Sequence, residues 1–223
     1  MNWIITGANR GIGLELTRQL ASRGETVIAT ARNVSSAHEL ISVGVRVEAL
    51  DITDDVSVAN FVKRIADIDV DVLINNAGQG VNSDTLGSID MNNVRNLFEV
   101  NAIGTLRITQ ALLPALRRGS RKLIANMTSK MGSIDDNTSG SAYGYRASKS
   151  ALNAITKSLA MDLAHEGFTC LVLHPGWVQT EMGGASAPLA TEDSARSLLE
   201  VISGAQPSQT GRFFNFDGNE LPW

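Results

Sequence analysis

The stretch Trp3-Ile4-Ile5-Thr6-Gly7-Ala8-Asn9-Arg10-Gly11-Ile12-Gly13 places a β-rich run directly before a glycine-rich turn, and a helical pattern starts inside that turn. Glycines at such a turn let the backbone pass close to a pyrophosphate, whose charge is met by the amides and the positive dipole end of the helix. The spacing G-x-x-x-G-x-G departs from the common G-x-G-x-x-G form. A loop that is merely rich in glycine is the alternative, but the strand before it and the helix after it favour phosphate binding.

Short β-rich runs alternate with longer segments of helical period along the whole chain, a pattern typical of a parallel sheet with helices on both faces. The predicted strands are Trp3–Thr6, Thr26–Thr30, Val45–Ala49, Val70–Ile74, Lys122–Asn126, Thr169–His174 and Arg212–Phe214. The predicted helices are Gly11–Arg23, Ser35–Ser42, Asp55–Ala66, Met91–Arg118, Ala142–Ala164 and Thr191–Ile202. No internal repeat or linker marks a second domain. We therefore expect an α/β fold, with one Rossmann-type doubly wound domain over residues 1–223 and a seven-stranded parallel sheet.

The bulk composition excludes several classes of function. The chain has 43% hydrophobic residues, 19% charged residues and a formal net charge of −4, which gives no electrostatic footprint for nucleic acid or an anionic membrane. Its start lacks a signal peptide, and no window approaches the roughly 18 apolar residues of a membrane span, so a cytoplasmic protein is expected. The single cysteine, Cys170, lies in an apolar run and is interpreted as a core residue. The histidines His38, His165 and His174 lack metal-ligand spacing, and no metal site is predicted.

The end of the second predicted strand indicates which dinucleotide the turn would bind. NAD-binding folds usually place a carboxylate there for the ribose 2′-hydroxyl, and this chain has none. Arg32 follows the strand instead, and Arg10 inside the glycine turn can reach the same space, so two guanidinium groups can pair with a 2′-phosphate. Either arginine alone is compatible with an ordinary surface charge. Together they favour NADPH over NADH.

Polar residues also follow the third and fourth predicted strands. Asp51, beside Ile52, can bind the adenine amino group or can cap its own turn. The fourth strand runs into Asn75 and then Asn76-Ala77-Gly78, at the carboxyl end of a strand, where open α/β sheets bind ligands. Asparagines at such a position can also simply hold the turn, which is the interpretation we favour for Asn75.

Tyr145 and Lys149 lie four residues apart on a predicted helix and therefore share one face of it. A phenol has a pKa of about 10, and a nearby positive charge favours the phenolate. Lys149 could therefore tune Tyr145 for proton transfer. Such a spacing also occurs by chance, and a solvated surface pair is the alternative.

Taken together, these motifs resemble the short-chain dehydrogenase/reductase family, and the likeness extends along the whole chain. Its marks occur in order as Thr6-Gly7-x-x-x-Gly11-x-Gly13, Asn75-Asn76-Ala77-Gly78, Asn101, Ser129, Tyr145-x-x-x-Lys149 and Pro175-Gly176. Within the family, the chain is most similar to the small C-factor-like and carbonyl-reductase-like members. The residues that indicate this are Thr30-Ala31-Arg32, Gly176-Trp177-Val178-Gln179-Thr180 and the terminal Phe216-Asp217-Gly218-x-x-Leu221-Pro222-Trp223.

The resemblance implies a role for each candidate catalytic residue. Ser129 would hydrogen-bond the substrate oxygen, and Tyr145 would give that oxygen a proton as hydride arrives from nicotinamide. Lys149 would lower the pKa of Tyr145 and bind the nicotinamide ribose, while Asn101 would hold a water that joins Lys149 to solvent. Moving a phenol pKa from about 10 to near 7 takes roughly 4 kcal/mol, so Lys149 needs help from a partly dry site and the cationic nicotinamide.

The resemblance also implies a set of cofactor contacts. These are Gly7, Asn9, Arg10, Gly11, Ile12, Gly13, Arg32, Asp51, Ile52, Asn76, Ala77, Gly78, Tyr145, Lys149, Pro175, Gly176, Val178 and Thr180. The cofactor would be NADP(H) by preference, with NAD(H) as the second choice. Residues 181–191 would form a substrate loop with glycine hinges at Gly183 and Gly184.

One departure from the family pattern lies between Ser129 and Tyr145, which are separated by sixteen positions, more than is usual in the family. The excess is interpreted as a longer loop beside the pocket. Tyr143 is an alternative phenol, but the residue four positions later is Ala147, which carries no charge, so Tyr143 is expected to be a pocket wall.

These features predict an oxidoreductase that interconverts carbonyls and alcohols. The substrate loop offers no cationic anchor, which favours a small neutral carbonyl or alcohol substrate. A C-factor-like signalling or regulatory protein that binds cofactor with little turnover is the alternative. The family usually pairs through its long helices, here Met91–Arg118 and Ala142–Ala164, which implies a homodimer or homotetramer. Carbonyl-reductase-like members can be monomers, so a monomer is the alternative.

Overall fold

In the part of the chain that the structure describes, seven parallel strands form a single sheet in the order β3-β2-β1-β4-β5-β6-β7. The computed structural model describes residues 1–80 and 84–223. The strands are β1 Asn2–Ile5, β2 Thr26–Ala31, β3 Arg46–Ala49, β4 Val72–Asn75, β5 Leu123–Met127, β6 Thr169–His174 and β7 Arg212–Asn215. The predicted fold class is confirmed.

Helices connect the strands on both faces of the sheet. They are α1 Gly11–Ser22, α2 His38–Ser42, α3 Asp55–Arg64, α4 Met91–Phe98, α5 Gly104–Arg118, α6 Tyr143–Leu163 and α7 Thr191–Gly204. A π-helical turn, Glu99–Ile103, joins α4 to α5, and short 3-10 turns occupy Lys130–Gly132, Ala164–Glu166 and Pro207–Gln209.

The sheet is buried on both faces because helices cover each of them, and the side chains of each strand alternate between the two faces. In β1, Trp3 and Ile5 belong to the core on one face and Ile4 to the core on the other. The first core includes residues of α1 and α7, and the second includes residues of α3, α5 and α6. Full burial of one large apolar side chain stabilises a fold by about 1.5–3 kcal/mol. Cys170 lies in the second core, as predicted.

Most predicted elements lie within a few residues of the observed ones, and one differs in kind. The predicted helix Met91–Arg118 is interrupted by the π-helical turn, in which one extra residue per turn rotates the chain without breaking the apolar pattern. The predicted second helix begins three residues late, at His38, because Ser35 and Ser36 hydrogen-bond to Asn33.

The strand order reverses beside β1, which pairs with β2 on one side and with β4 on the other. In open α/β sheets, the crevice outside the carboxyl ends of the strands at such a switch point is the usual ligand site. The glycine turn after β1 and the Asn75–Gly78 segment after β4 both lie there. Within the described residues, no helix has the length and apolar character needed to cross a membrane.

Candidate active site

A cavity of about 760 Å³ opens at the carboxyl ends of β1 and β4. Its walls come from the glycine turn, the ends of β2 and β4, the loop after β3, the helix α6 and the loop after β6. A space bounded by so many elements brings residues that are distant in sequence to one ligand.

The glycine turn depends on glycine at three places. Gly7 and Gly11 have φ values of 63° and 54°, which non-glycine residues adopt only with strain. Gly13 lies so close to the end of β4 that a Cβ there would be 2.4 Å from Asn76 Nδ2 and 2.6 Å from the Gly7 oxygen. Asn76 in turn donates to the Thr6 and Gly7 carbonyls at 3.0 and 2.9 Å. The turn is therefore fixed against the neighbouring strand.

The N-terminus of α1 fits a phosphate group. No side chain caps this end of the helix, and Gly11, Ile12 and Gly13 line the cavity. Uncapped first-turn amides and the positive end of the helix dipole together attract an anion. The three glycines line the cavity with backbone atoms alone, because a Cβ at any of them would run into Ala77, Thr180 or Asn76. This bare backbone beside a helix N-terminus fits the pyrophosphate of a dinucleotide.

Ser129 lies just beyond β5, at the start of the 3-10 turn Lys130–Gly132, where its hydroxyl accepts from the Met131 amide at 3.1 Å. Gly132 lets this serine loop approach α6, since a Cβ there would lie 2.9 Å from the Lys149 Cβ. The Gly132 carbonyl accepts from Ser150 at 2.8 Å and from Asn153 at 3.2 Å. Gly132, three residues after Ser129, therefore lets the serine loop dock onto the helix that carries the tyrosine.

Tyr145 is 9% exposed, and Tyr143 is 44% exposed and does not line the cavity. The expectation that Tyr143 forms a pocket wall is therefore wrong, because the start of α6 turns it outward. Burial raises the pKa of the Tyr145 phenol, and its interaction with the Ser129 hydroxyl opposes that rise.

Lys149 is 5% exposed and donates from Nζ to the Met127 carbonyl at 2.9 Å. Its Nζ lies 5.9 Å from the centre of the Tyr145 ring. Burial lowers the pKa of Lys149 to about 8. The expected effect of Lys149 on the pKa of Tyr145, in concert with a bound cofactor, stays a prediction.

Asn101 lies in the π-helical turn and is fully buried. Its Oδ1 accepts from the Gln79 amide at 2.7 Å, and its Nδ2 donates to Ser148 at 3.1 Å. A Cβ at Gly78 would lie 3.3 Å from Asn101 Oδ1 and 3.5 Å from Lys149 Nζ, so this glycine separates the two side chains. The implied water between them stays a prediction.

Asn75 and Asp51 both hold structure next to the cavity. Asn75 donates to Thr109 at 2.9 Å and to Asn126 at 2.8 Å, which ties β4 to α5 and β5. The Asp51 carboxylate accepts from the Thr53 amide at 2.9 Å and its hydroxyl at 2.7 Å. Asp51 therefore caps its own turn while it lines the cavity.

The two arginines differ in their surroundings. Arg32 is exposed and lines the cavity. Arg10 also lines it, but its guanidinium pairs with Glu181 of the predicted substrate loop. Next to Glu181, Met182 lies over Gly80, where a Cβ would come within 2.7 Å of the Met182 Cγ.

Most predicted site residues meet at this cavity. Those that line it are Gly7, Asn9, Arg10, Gly11, Ile12, Gly13, Arg32, Asp51, Ile52, Asn76, Ala77, Gly78, Tyr145, Lys149, Pro175 and Thr180. Four others lie behind the lining: Asn101, Ser129, Gly176 and Val178. Gly176 has a φ of 87° and packs against Leu189, which also pairs with Val178, so both residues hold the loop after β6.

Several residues that line the cavity were not predicted from the sequence, although the position of some of them along the chain could have identified them. The missed residues are Leu50, Thr53, Gln79, Gly80, Val100, Met127 and Thr128, besides Glu181 and Met182, which were assigned to the substrate loop only. Leu50, Met127 and Thr128 directly border the carboxyl end of a strand, and this position alone could have identified them. Val100 lies in the π-helical turn, which the sequence pattern did not predict.

Comparisons with known proteins show which family the chain resembles. A family model described as short chain dehydrogenase matches residues 2–189. The C-signal protein of Myxococcus xanthus is 51% identical over 154 residues, which cover 69% of this chain and 93% of that protein.

Solved structures share the whole fold. The carbonyl reductase Sniffer of D. melanogaster superposes with a TM-score of 0.92 at 35% identity, covering 100% of this chain and 99% of that chain. The NADPH-bound carbonyl reductase from chicken fatty liver superposes with a TM-score of 0.93 at 31% identity, covering 100% of this chain and 98% of that chain. With the family model spanning most of its length, the chain belongs to the short-chain dehydrogenase family.

Proposed function

We propose that this protein is an NADPH-dependent carbonyl reductase in which Tyr145 is the general acid. The observation that carries this proposal is the meeting of Tyr145, Ser129 and Lys149 beside the glycine-lined cavity. A plain nucleotide-binding domain would have no use for a buried phenol and a buried lysine in one place.

Each residue of this group has a separate task in the reduction. The Tyr145 phenol, whose ordinary pKa of about 10 is raised by burial, is protonated at neutral pH and has a proton to donate to a carbonyl oxygen. The Ser129 hydroxyl holds the same oxygen in place. Lys149, whose pKa is lowered to about 8, is still largely charged at neutral pH and stabilises the phenolate left after proton transfer.

The cofactor preference rests on charge at the end of β2. When bound, NADPH supplies the hydride, and its oxidised nicotinamide adds a positive charge near the phenol. Arg32 and Arg10 offer guanidinium groups for the 2′-phosphate, and no carboxylate follows Ala31 to bind a free 2′-hydroxyl. The NADPH-bound carbonyl reductase from chicken supports the same preference. NAD(H) is the weaker alternative.

The substrate is a small neutral carbonyl compound, which residues 181–191 cover. This loop contains no lysine or arginine to hold an acidic substrate. Its one carboxylate, Glu181, pairs with Arg10, so this loop has no free negative charge to attract a cationic substrate.

Replacement of the phenol tests the mechanism. Tyr145→Phe should abolish turnover of a carbonyl substrate while NADPH binds with nearly the wild-type affinity, because only the donated proton is lost. Tyr143→Phe, two residues away and exposed, is the matched control and should keep wild-type turnover. NADPH oxidation by Tyr145→Phe at a near-normal rate would exclude this mechanism.

A signalling or regulatory role is the second candidate, and the 51% identity to the C-signal protein favours it. A screen of aldehydes, ketones and quinones for NADPH oxidation separates the two functions. Turnover of at least one class supports the reductase, whereas cofactor binding without any turnover supports the regulatory role.

A further inference from the structure

Three consecutive residues directly before α6 have left-handed backbone conformations. Gly140, Ser141 and Ala142 have φ values of 65°, 55° and 50°. Residues other than glycine rarely adopt this conformation, and it persists only where surrounding contacts hold it. Because Tyr145 lies in the first turn of α6, the shape of this left-handed turn decides where its phenol points.

Arg146, the neighbour of Tyr145, supplies contacts that hold the left-handed turn. Its Nε donates to the Gly140 carbonyl at 3.1 Å, and its Nη2 donates to the Ser139 hydroxyl at 2.8 Å. Its Nη1 donates to the Met131 carbonyl at 3.4 Å. The three donors belong to one planar guanidinium, whose rigid fork a lysine ammonium cannot reproduce.

Met131 connects this guanidinium to the candidate catalytic serine. The Met131 amide donates to Ser129 Oγ at 3.1 Å, while the carbonyl of the same residue accepts from Arg146. The Met131 side chain packs against the buried cluster that contains Ala142 and Tyr145. One side chain therefore contacts both the loop that carries the serine and the turn that aims the tyrosine.

We propose that Arg146 is a positioning residue, which clamps the serine loop to the left-handed turn and thereby sets the distance between the Ser129 and Tyr145 hydroxyls. The proposal rests on the proposed function of the site. It also assigns a task to the longer loop before α6, because Arg146 fixes the end of that loop that adjoins the helix.

Two substitutions test the clamp kinetically. Arg146→Lys keeps the charge but loses the fork, and kcat should fall roughly 10²-fold because the reacting groups are misplaced, with little change in the KM for NADPH. Ser141→Gly relieves the left-handed strain, so the turn needs less restraint. The double variant Arg146→Lys/Ser141→Gly should therefore have a kcat about tenfold higher than that of Arg146→Lys alone. Arg196→Lys, an exposed arginine of α7, is the matched control and should keep wild-type kcat.

A second measurement does not require turnover. The chain has two tyrosines, so a Tyr143→Phe background leaves Tyr145 as the only phenol to titrate by its ultraviolet absorbance. In that background, Arg146→Lys should move the titration midpoint down towards the ordinary pKa of about 10, because the loosened turn admits water to a buried phenol. Circular dichroism and NADPH affinity establish that each variant is folded.

Two outcomes overturn the proposal. In the first, a folded Arg146→Lys variant keeps wild-type kcat and an unchanged Tyr145 titration. In the second, kcat falls but Ser141→Gly restores none of it. If the wild type reduces no carbonyl compound while the Tyr145 titration still depends on Arg146, the proposed function fails and the positioning role stands.

Discussion

Tyr145 and Lys149 share one face of α6, and burial makes each of them harder to ionise. The phenol stays neutral at higher pH than in water, and the pKa of the ammonium falls to about 8. The spacing of the pair was readable from the sequence, but their pKa shifts were not, because burial depends on how β5 and the serine loop pack against the helix. The site therefore holds a proton on the phenol before any ligand arrives.

Burying Lys149 beside the cavity costs stability at neutral pH, and Lys149→Met should reveal this cost. The folded-state pKa of about 8 lies below the ordinary 10.5, so the unfolded chain binds more protons between these values and wild-type stability rises with pH there. The free energy of unfolding of the wild type should gain about 3 kcal/mol relative to Lys149→Met between pH 8 and 10.5. Urea unfolding at several pH values measures this.

The control for that experiment is Lys157→Met, which changes an exposed lysine of the same helix. Its stability relative to the wild type should not follow the pH trend seen with Lys149→Met. An equal trend in both variants would show that the effect does not come from burial of Lys149.

Arg32 is the residue whose replacement tests the choice of cofactor. Arg32→Asp should lower kcat/KM with NADPH by at least about tenfold, because a charged hydrogen bond to phosphate is lost and a repulsive carboxylate is added. The same change should raise kcat/KM with NADH relative to NADPH. Arg23→Asp, an exposed site at the far end of α1, makes the same charge change away from the cavity. Preference of the wild type for NADH would contradict the proposal.

At the scale of elements, the alternation of strands and helices was predictable from the sequence. The strands of a parallel sheet that is buried on both faces are short, continuous runs of apolar, β-branched residues. The π-helical turn was not predictable, since the apolar residues of α4, the turn and α5 still read as one helix. That turn is what brings Asn101 and Val100 to the site. A local irregularity with no periodic signal therefore positions a candidate functional residue, whereas the regular elements around it follow from pattern alone.

The glycine turn gives a prediction about how α1 meets the sheet. Gly13→Ala should destabilise the protein by about 1–3 kcal/mol, because its Cβ would collide with Asn76 and the Gly7 carbonyl. Gly204→Ala, also in a helix but with open space around it, should instead stabilise by up to about 1 kcal/mol. Urea unfolding midpoints measure both changes. Equal effects of the two variants would mean that helix propensity, and not this close approach, governs Gly13.

At the scale of the whole molecule, the loop after β6 reaches across the cleft that the sheet topology creates. Thr180 lies beside Gly11, where an added Cβ would come within 3.3 Å of the Thr180 Cγ2. Glu181 pairs with Arg10, and Met182 lies over Gly80. The sequence predicts a loop over residues 181–191. The residues that this loop contacts could not be predicted from residue types, because they depend on how the strands are arranged in the sheet. The three consecutive residues Thr180, Glu181 and Met182 therefore connect the two sides of the cleft, the glycine turn after β1 and the segment after β4.

A ligand that fills this cleft contacts elements from both halves of the sheet, so its binding should stabilise the whole fold. At a concentration 100-fold above its Kd, NADP⁺ should add about 2.7 kcal/mol to the free energy of unfolding, which corresponds to a rise in Tm of roughly 5–10 °C for a domain of this size. NAD⁺ at the same concentration should give a smaller rise, and Arg32→Asp should reduce the difference between the two. Differential scanning fluorimetry measures these shifts without a known substrate. Because stabilisation follows binding alone, an unchanged Tm with both nucleotides at millimolar concentration would mean that the cleft binds a different ligand.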